Sequence, residues 1–399
     1  MNIRIISVRR YEWKNFLKRG DFMFRRNNGS PFAALLIAVI LLSLLTVYAA
    51  SAEKEKPTIS ARSATLYQPD TNTFLYKKNS DRRMHMASTT KIMTALVSLE
   101  CAEDLDEQLV IPPEAVGVEG SSAYLRLGDV VTVRELLYAL MLGSANDAAV
   151  ALAYRFGGGI EGFADMMNAR AESLGLKNTH FTNPHGLDDE EHYTTAEDLA
   201  LIAAEALGCE QFLEICSTYK KTIVTGERER TYTNHNKLLR SYDGAIGVKT
   251  GFTDESGRCL VGAAERDGVR LVCVTLDAPS DWADHKSLFD MGFEVCRRIS
   301  LAEVYEYSYD IYSLAKGGTV RVTNTDELYK ISLGEDIDVK EYVVLPRFIS
   351  REFKNGEALG YVDFYGGEEY LGRVELCATE SVRTTKKGLI QRIRDWLTG

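Results

Sequence analysis

The feature that most constrains this fold is a pair of apolar segments, Gly257 to Glu265 and Val269 to Leu276, flanking Asp267-Gly268. An Asp-Gly step readily adopts the backbone angles of a two-residue hairpin turn, so the segments are expected to pair as antiparallel strands. Ala245 to Thr250 reads as a third strand just before them. At the other end of this region, Ser63 to Tyr67 and Thr73 to Tyr76 flank a turn through Pro69-Asp70-Thr71-Asn72 and read as a second hairpin. The stretch between is helical in pattern. Ile92, Met93, Ala95, Leu96 and Leu99 recur at helical spacing, as do Leu136, Leu137, Leu140 and Met141. The latter group begins with capping-box spacing, Thr132 to Glu135, and Gly143 stops it. Another helix is expected from near Asn146 to Gly157, then more to about residue 175, a loop over 178–194, and a helix from Thr195 to Gly208. Strands at both ends with helices between predict an α+β domain: an antiparallel sheet with a helical insertion. A last apolar helix, Leu288 to Ile299, is expected to pack on that sheet.

The flanks are different in kind. Phe32 to Ala50 is an unbroken apolar-to-neutral run, preceded by Arg25 and Arg26 and followed by Ala50-Ser51-Ala52. That order is expected of a secretory leader cleaved after Ala52, although an uncleaved anchor has nearly the same length and Met23 would give a shorter leader. Residues 1–52 are therefore set apart as a signal peptide, residues 53–300 as the main domain, and the protein is expected outside the cytoplasm. From 301 to 382, short alternating segments such as Gly318 to Val322 and Tyr361 to Tyr365 predict a small all-β domain. Over 383–399, Leu389, Ile390, Ile393, Trp396 and Leu397 share one helical face with Lys386, Lys387, Arg392 and Arg394 around the other. This pattern is expected of an amphipathic helix lying in a membrane surface, where anionic lipids attract its basic residues.

Charge excludes one class of partner. The whole chain carries a net −10, and removal of residues 1–52 leaves 39 basic against 55 acidic residues, a net −16. Such a body is not expected to bind nucleic acid. Seven cysteines, an odd number without a C-x-x-C pair, are expected to be mostly or wholly reduced thiols, with one or two bridges left open.

Chemistry concentrates in three short motifs. Ser88 and Lys91 stand one turn apart at a predicted helix start, where free N–H groups and the positive end of the dipole also lie. A serine becomes a good nucleophile when a neighbouring base removes its proton, and a desolvated, neutral lysine can be that base. Ser144 and Asn146 lie in the turn between two predicted helices, where a hydroxyl and an amide can face a cleft. Lys249-Thr250-Gly251 ends a predicted strand, with two donors suited to an anion and a glycine that permits close backbone approach. S-x-x-K, S-x-N and K-T-G in that order are far more specific together than singly.

On these motifs the sequence resembles the penicillin-binding and serine β-lactamase superfamily, and within it the low-molecular-mass D-alanyl-D-alanine carboxypeptidases. Supporting stretches are His185-Gly186-Leu187-Asp188, Tyr193 to Ala200, and Thr233 to Leu239. The resemblance implies helices on both faces of the sheet and an acyl-enzyme on Ser88, with Lys91 as base. It implies that Ser144 relays the proton, that Asn146 orients the peptide, and that Lys249 and Thr250 bind the terminal carboxylate beside Gly251. The N–H groups of Ser88 and Phe252 would form the oxyanion hole, and His185 would join the substrate site. Some relatives have Arg where this chain has His235, and His where it has Phe252. The implied partners are peptidoglycan stem peptides ending in D-Ala-D-Ala and β-lactam inhibitors, with no metal or organic cofactor.

Rival readings are weaker. A class A β-lactamase needs a glutamate some 35 residues beyond the S-x-N asparagine, and His180-Phe181-Thr182-Asn183 offers no acid. The six histidines include no H-E-x-x-H pair, which argues against a zinc peptidase. An inactive, penicillin-sensing wall-binding protein would not need all three motifs intact. An endopeptidase acting on cross-links would use the same residues and is not separated by sequence.

Overall fold

The computed structural model describes residues 3–8, 57–334 and 337–383. The chain divides into two compact units: residues 59–304 with 326–337, and a second unit that includes 305–325 and the residues from 338 onward.

The first unit is built on a five-stranded antiparallel sheet. Its strands are β1 (Ser63–Gln68), β2 (Thr73–Lys78), β3 (Ala245–Thr253), β4 (Gly257–Arg266) and β5 (Val269–Leu276), in the order β2-β1-β5-β4-β3. Both expected hairpins are present, and Asp267 and Gly268 take the positive φ that their turn requires. Side chains alternate faces along each strand, and both faces are apolar. Tyr67, Val261, Ala263, Val272 and Val274 join one core, whereas Leu66, Leu260, Ala264, Leu271 and Cys273 join another. Such a sheet must be covered on both sides, and helices do so.

The first core contains helices α1 (Lys91–Cys101), α2 (Val133–Leu142), α3 (Asn146–Gly157) and α4 (Ala196–Ala206). Helix α2 starts with the expected capping box: Thr132 accepts from the Glu135 N–H, and Glu135 accepts from the Thr132 N–H. Thr195 likewise caps α4 through the Asp198 N–H. The second core is closed by Leu288 and Phe289 of α5 (Asp281–Val295).

Helix α5 corrects the expected span of 288–299. It starts earlier because its first turns are polar yet buried: Asp284 accepts from Ser60 Oγ and from the Ser60 and Ala61 N–H groups, and His285 meets Thr275 Oγ1. Its end is also earlier. Cys296–Ala302 is a strand paired with Leu328–Leu333, so this hairpin straddles the boundary expected at residue 300 while remaining within the first unit. A second hairpin that sequence periodicity did not reveal, Lys220–Thr225 with Arg228–Thr233, turns at Gly226 (φ +61°).

The second unit is all β. Its seven-stranded sheet includes Ser308–Ser313, Gly318–Thr323, Val339–Pro346, Ala358–Gly366 and Glu369–Ala378 around Val322, Val343, Val362, Phe364 and Leu376. Ile3–Val8, within the stretch expected to be a leader, lies antiparallel to Val339–Pro346. The apolar run at 32–50 and the expected amphipathic helix over residues 384–399 lie outside the described residues. Among the described residues, no helix is long and apolar enough to cross a membrane. All seven cysteines are free thiols.

Candidate active site

Ser88 lies in a 3-10 turn, Ala87–Thr90, that leads directly into α1, rather than in an α-helical first turn. Ala87 takes φ +46°, a conformation L side chains rarely adopt, and the turn is held by its neighbours. Thr90 Oγ1 donates to the Ala87 carbonyl at 2.8 Å and meets His192 Nε2 at 2.8 Å. Two glycines close on this turn. A Cβ on Gly251 would stand 3.0 Å from Ser88 N, and one on Gly186 (φ +86°) would stand 1.9 Å from the Ala87 carbonyl oxygen. Close packing of three backbone segments thus fixes the position of the serine.

Lys91 is fully buried, and its Nζ donates to Ser88 Oγ at 2.9 Å and to the His185 carbonyl at 2.5 Å. Burial, and then the Lys249 ammonium, hold its pKa well below the ordinary lysine value, and Asp147 opposes the shift. Among the described residues it has no ion pair. His185 differs from its expected place on the substrate wall. The Asn183 Oδ1 accepts from the His185 and Gly186 N–H groups and turns the His185 carbonyl onto Lys91. The His185 ring accepts from the Leu187 N–H, and burial followed by the Lys91 charge lowers its pKa to about 3, so it is neutral.

Ser144 follows Gly143, the C-cap of α2, at φ +58° and is nearly buried. Asn146 opens α3; its N–H donates to the Ser121 carbonyl and its Nδ2 to the Glu119 carbonyl at 2.6 Å. Its Oδ1 has no partner among the described residues. The adjacent Asp147, which motif reading passed over, anchors the crossing loop by accepting from Ser122 Oγ and the Ala123 and Leu125 N–H groups.

Lys249 is buried in β3, its Nζ donates to the Thr250 carbonyl at 2.9 Å, and burial brings its pKa down to about 7. Ser88, Ser144, Thr250, Gly251 and Phe252 line one cavity of about 380 Å³. Lys91, Asn146 and Lys249 are buried and do not line it. Phe252 stands at the mouth, 63% exposed. The wall adds Ser121, His235, Lys237, Trp282 and the Arg258–Asp281 ion pair at 2.8 Å. Of these only His235 had a signal in the sequence, and burial and then Lys249 lower its pKa. Chemically the cavity offers a hydroxyl paired with a proton-poor amine, a second hydroxyl, and a buried cation beside an edge strand. His85, Asp188 and Glu255 approach within 4.8 Å of one another at the surface, but both carboxylates are exposed and Asp188 already accepts from Thr253 Oγ1.

Known proteins share this arrangement of sequence and fold. The family model described as D-alanyl-D-alanine carboxypeptidase matches residues 50–280. The D-alanyl-D-alanine carboxypeptidase DacF of Bacillus subtilis is 30% identical over 91% of this chain and 98% of its own length. Among solved structures, the D,D-transpeptidase of Streptomyces K15 is 39% identical, with a TM-score of 0.58 over 60% of this chain and all of that one. Penicillin-binding protein 5 of Haemophilus influenzae is 26% identical, with a TM-score of 0.60 over 82% of this chain and 99% of that one.

Proposed function

The chain belongs to the D-alanyl-D-alanine carboxypeptidase family, and we propose from its geometry how Ser88 and its neighbours carry out that reaction. It is a penicillin-binding serine hydrolase that acts on D-Ala-D-Ala. Lys91, kept proton-poor by burial and by Lys249, takes the Ser88 proton as Oγ attacks the carbonyl between the two terminal D-alanines. The Ser88 and Phe252 N–H groups receive the developing oxyanion, a stabilisation typically worth about 3 kcal/mol per donor. The amide C–N bond breaks, and the proton passes through Ser144 to the departing D-alanine amine. Water then adds to the ester, its proton returns to Ser88 Oγ by way of Lys91, and the shortened peptide leaves. Lys249 and Thr250 bind the terminal carboxylate beside Gly251. Asn146, whose Oδ1 is unpaired, accepts from the substrate backbone. The peptide lies along β3, the edge strand of the sheet, as an added strand. His185 supports Lys91 through its carbonyl and belongs to the positioning residues.

The 2.9 Å contact between Lys91 Nζ and Ser88 Oγ inside a desolvated, carboxylate-free pocket carries this reading. Intact mass of the full chain after addition of benzylpenicillin tests it. A penicilloyl adduct that persists for minutes and is missing from Ser88→Ala is expected. No adduct would overturn the assignment, and an adduct lost within seconds would favour a β-lactamase.

The substrate, peptidoglycan, lies outside the cytoplasm, and two terminal features support action there. The basic, apolar and small-residue order of residues 1–52 suits export, and the basic amphipathic pattern of 383–399 suits attachment to the outer face of the cytoplasmic membrane. Cleavage after Ala52 would also remove the Ile3–Val8 strand, so N-terminal sequencing of the exported protein tests this step. Truncation before residue 383 is expected to release the protein from vesicles containing anionic lipid.

A further inference from the structure

A groove of about 940 Å³ adjoins the catalytic cavity and is larger than it. The two share His235 and Lys237, and the groove wall includes Gly143, the residue before Ser144. His235 also lies within the field of Lys249. The groove therefore opens from the Ser144–Lys249 side, where the proposed reaction releases its amine. A carboxypeptidase releases one small residue there, and cavities of about 300–1,000 Å³ accommodate far larger ligands.

The groove lining is cationic in an acidic chain. Lys237 and Arg240 are exposed on it, and no aspartate or glutamate lines it. Among the described residues neither forms an ion pair, although Arg134, Arg155, Arg170, Arg228, Arg258 and Arg270 of the same unit all do. Arg240 is held in place without a carboxylate. Its Nη1 donates to Tyr219 OH at 3.0 Å and its guanidinium lies 5.2 Å from the Tyr219 ring centroid. A guanidinium preorganised on an aromatic ring still has donors to offer an anion.

We propose that this groove is an acceptor-peptide subsite, which binds a carboxylate-bearing stem peptide attached through the leaving amine, so that the protein also cleaves D,D-cross-links. The inference rests on the Ser88 reading above, since the bond cut is the same kind of amide. Ser88 Oγ bonds to the D-alanine carbonyl, the C–N bond breaks, and the freed amine of the second stem peptide takes the proton that Ser88 gave up. Water hydrolyses the ester as before. Only the leaving group changes, from D-alanine to a peptide whose carboxylates meet Lys237 and Arg240.

The test compares two substrates on the full chain: a disaccharide pentapeptide ending in D-Ala-D-Ala, and a D,D-cross-linked disaccharide-peptide dimer. The readout is the ratio of kcat/KM for dimer to that for pentapeptide, with benzylpenicillin acylation checking the fold of each variant. Wild type is expected to cut both, Arg240→Glu to lower the ratio about tenfold, and Arg240→Lys to lower it by no more than about threefold, as one exposed charge contact would. Trimming of the pentapeptide with the dimer left intact overturns the proposal while the carboxypeptidase reading stands. An unchanged ratio in Arg240→Glu, or an equal fall in Arg240→Lys, overturns the charge-recognition role of the groove. If neither substrate is cut and penicillin leaves Ser88 unlabelled, both readings fail.

Discussion

The two units use charge in opposite ways. In the second unit, Arg321 pairs with Asp310 and Lys316 with Glu380, and every one of these groups is at least one-third exposed. In the first unit, Lys91 and Lys249 are buried with no ion pair among the described residues, and burial lowers the pKa of each. Pairing at the surface costs little and contributes little. Burying a cation without a counter-ion costs stability, so its retention points to chemistry that needs an amine able to lose its proton.

Replacing such a lysine is the sharpest way to break the contrast. Lys91→Met is expected to slow penicillin acylation by about 1,000-fold or more, the scale of a lost general base. The same variant is expected to be more stable at pH 7, by on the order of 1–2 kcal/mol in urea unfolding, because an apolar chain of similar length replaces a desolvated amine. The sign follows from linkage. The folded pKa lies below the unfolded value, so between the two the unfolded state binds more protons and stability is lost as pH falls through that window. A Lys91→Met protein that unfolds more easily than wild type would mean that the hydrogen bonds to Ser88 and His185 outweigh the buried charge.

The next effect tests whether that amine is positioned by backbone packing. Gly186→Ala would place a Cβ against the Ala87 carbonyl at a positive φ, in the loop whose His185 carbonyl holds Lys91. A loss on the order of 2–3 kcal/mol is expected, with acylation reduced as well. By contrast Gly356→Ala, at φ +80° in the second unit with open space around it, has only the backbone term to lose and is expected to cost about 1 kcal/mol.

Acid should separate the units too. His185, His192 and His285 are buried and neutral, with pKa values lowered to about 3, about 4 and about 3, chiefly by burial. Below pH 6.5 the unfolded chain takes up protons that these sites refuse, so stability is full above that pH and falls as pH drops toward 4. At pH 5 each is expected to remove up to about 2 kcal/mol. All six histidines lie in the first unit, so hydrogen exchange at pH 5 should rise there and not in residues 338–383. Equal loss of protection in both units would remove the histidines as the cause. Acylation has its own acid limb, set by Lys91. Lys249→Met removes one cause of the lowered Lys91 pKa and is expected to move that limb toward higher pH.

Much of the first unit was legible because its signals are local. Ser88 with Lys91, Ser144 with Asn146, and Lys249 to Gly251 are each contained within four residues, and the caps at Thr132 and Thr195 are contained likewise. What was missed depends on distant partners. The start of α5 is polar and is buried only because Asp284 meets Ser60 and Ala61, more than 200 positions away. The His185 carbonyl, rather than its ring, supports Lys91, and side-chain chemistry gives no hint of a carbonyl's direction. The hairpin at 220–233 is so rich in Lys, Arg, Glu and Thr that its alternation carries no apolar signal, although it supplies the groove with Thr231 to Thr233.

The smallest expected effect completes the contrast from the side of the second unit. Asp310 and Arg321 stand opposite each other on paired antiparallel strands, with contacts of 3.2 and 3.3 Å and side chains 49% and 63% exposed. Water solvates both groups almost as well apart as together, and holding two long side chains in one geometry opposes the gain. Arg321→Met is therefore expected to move the Tm by no more than about 2 °C and to leave penicillin acylation unchanged. High salt should shrink even that difference, since the pair lies where counter-ions reach it. A shift of many degrees, or one that persists in 1 M salt, would show that surface pairs in this unit carry stability after all, and that exposed and buried charge differ here less than their solvation implies.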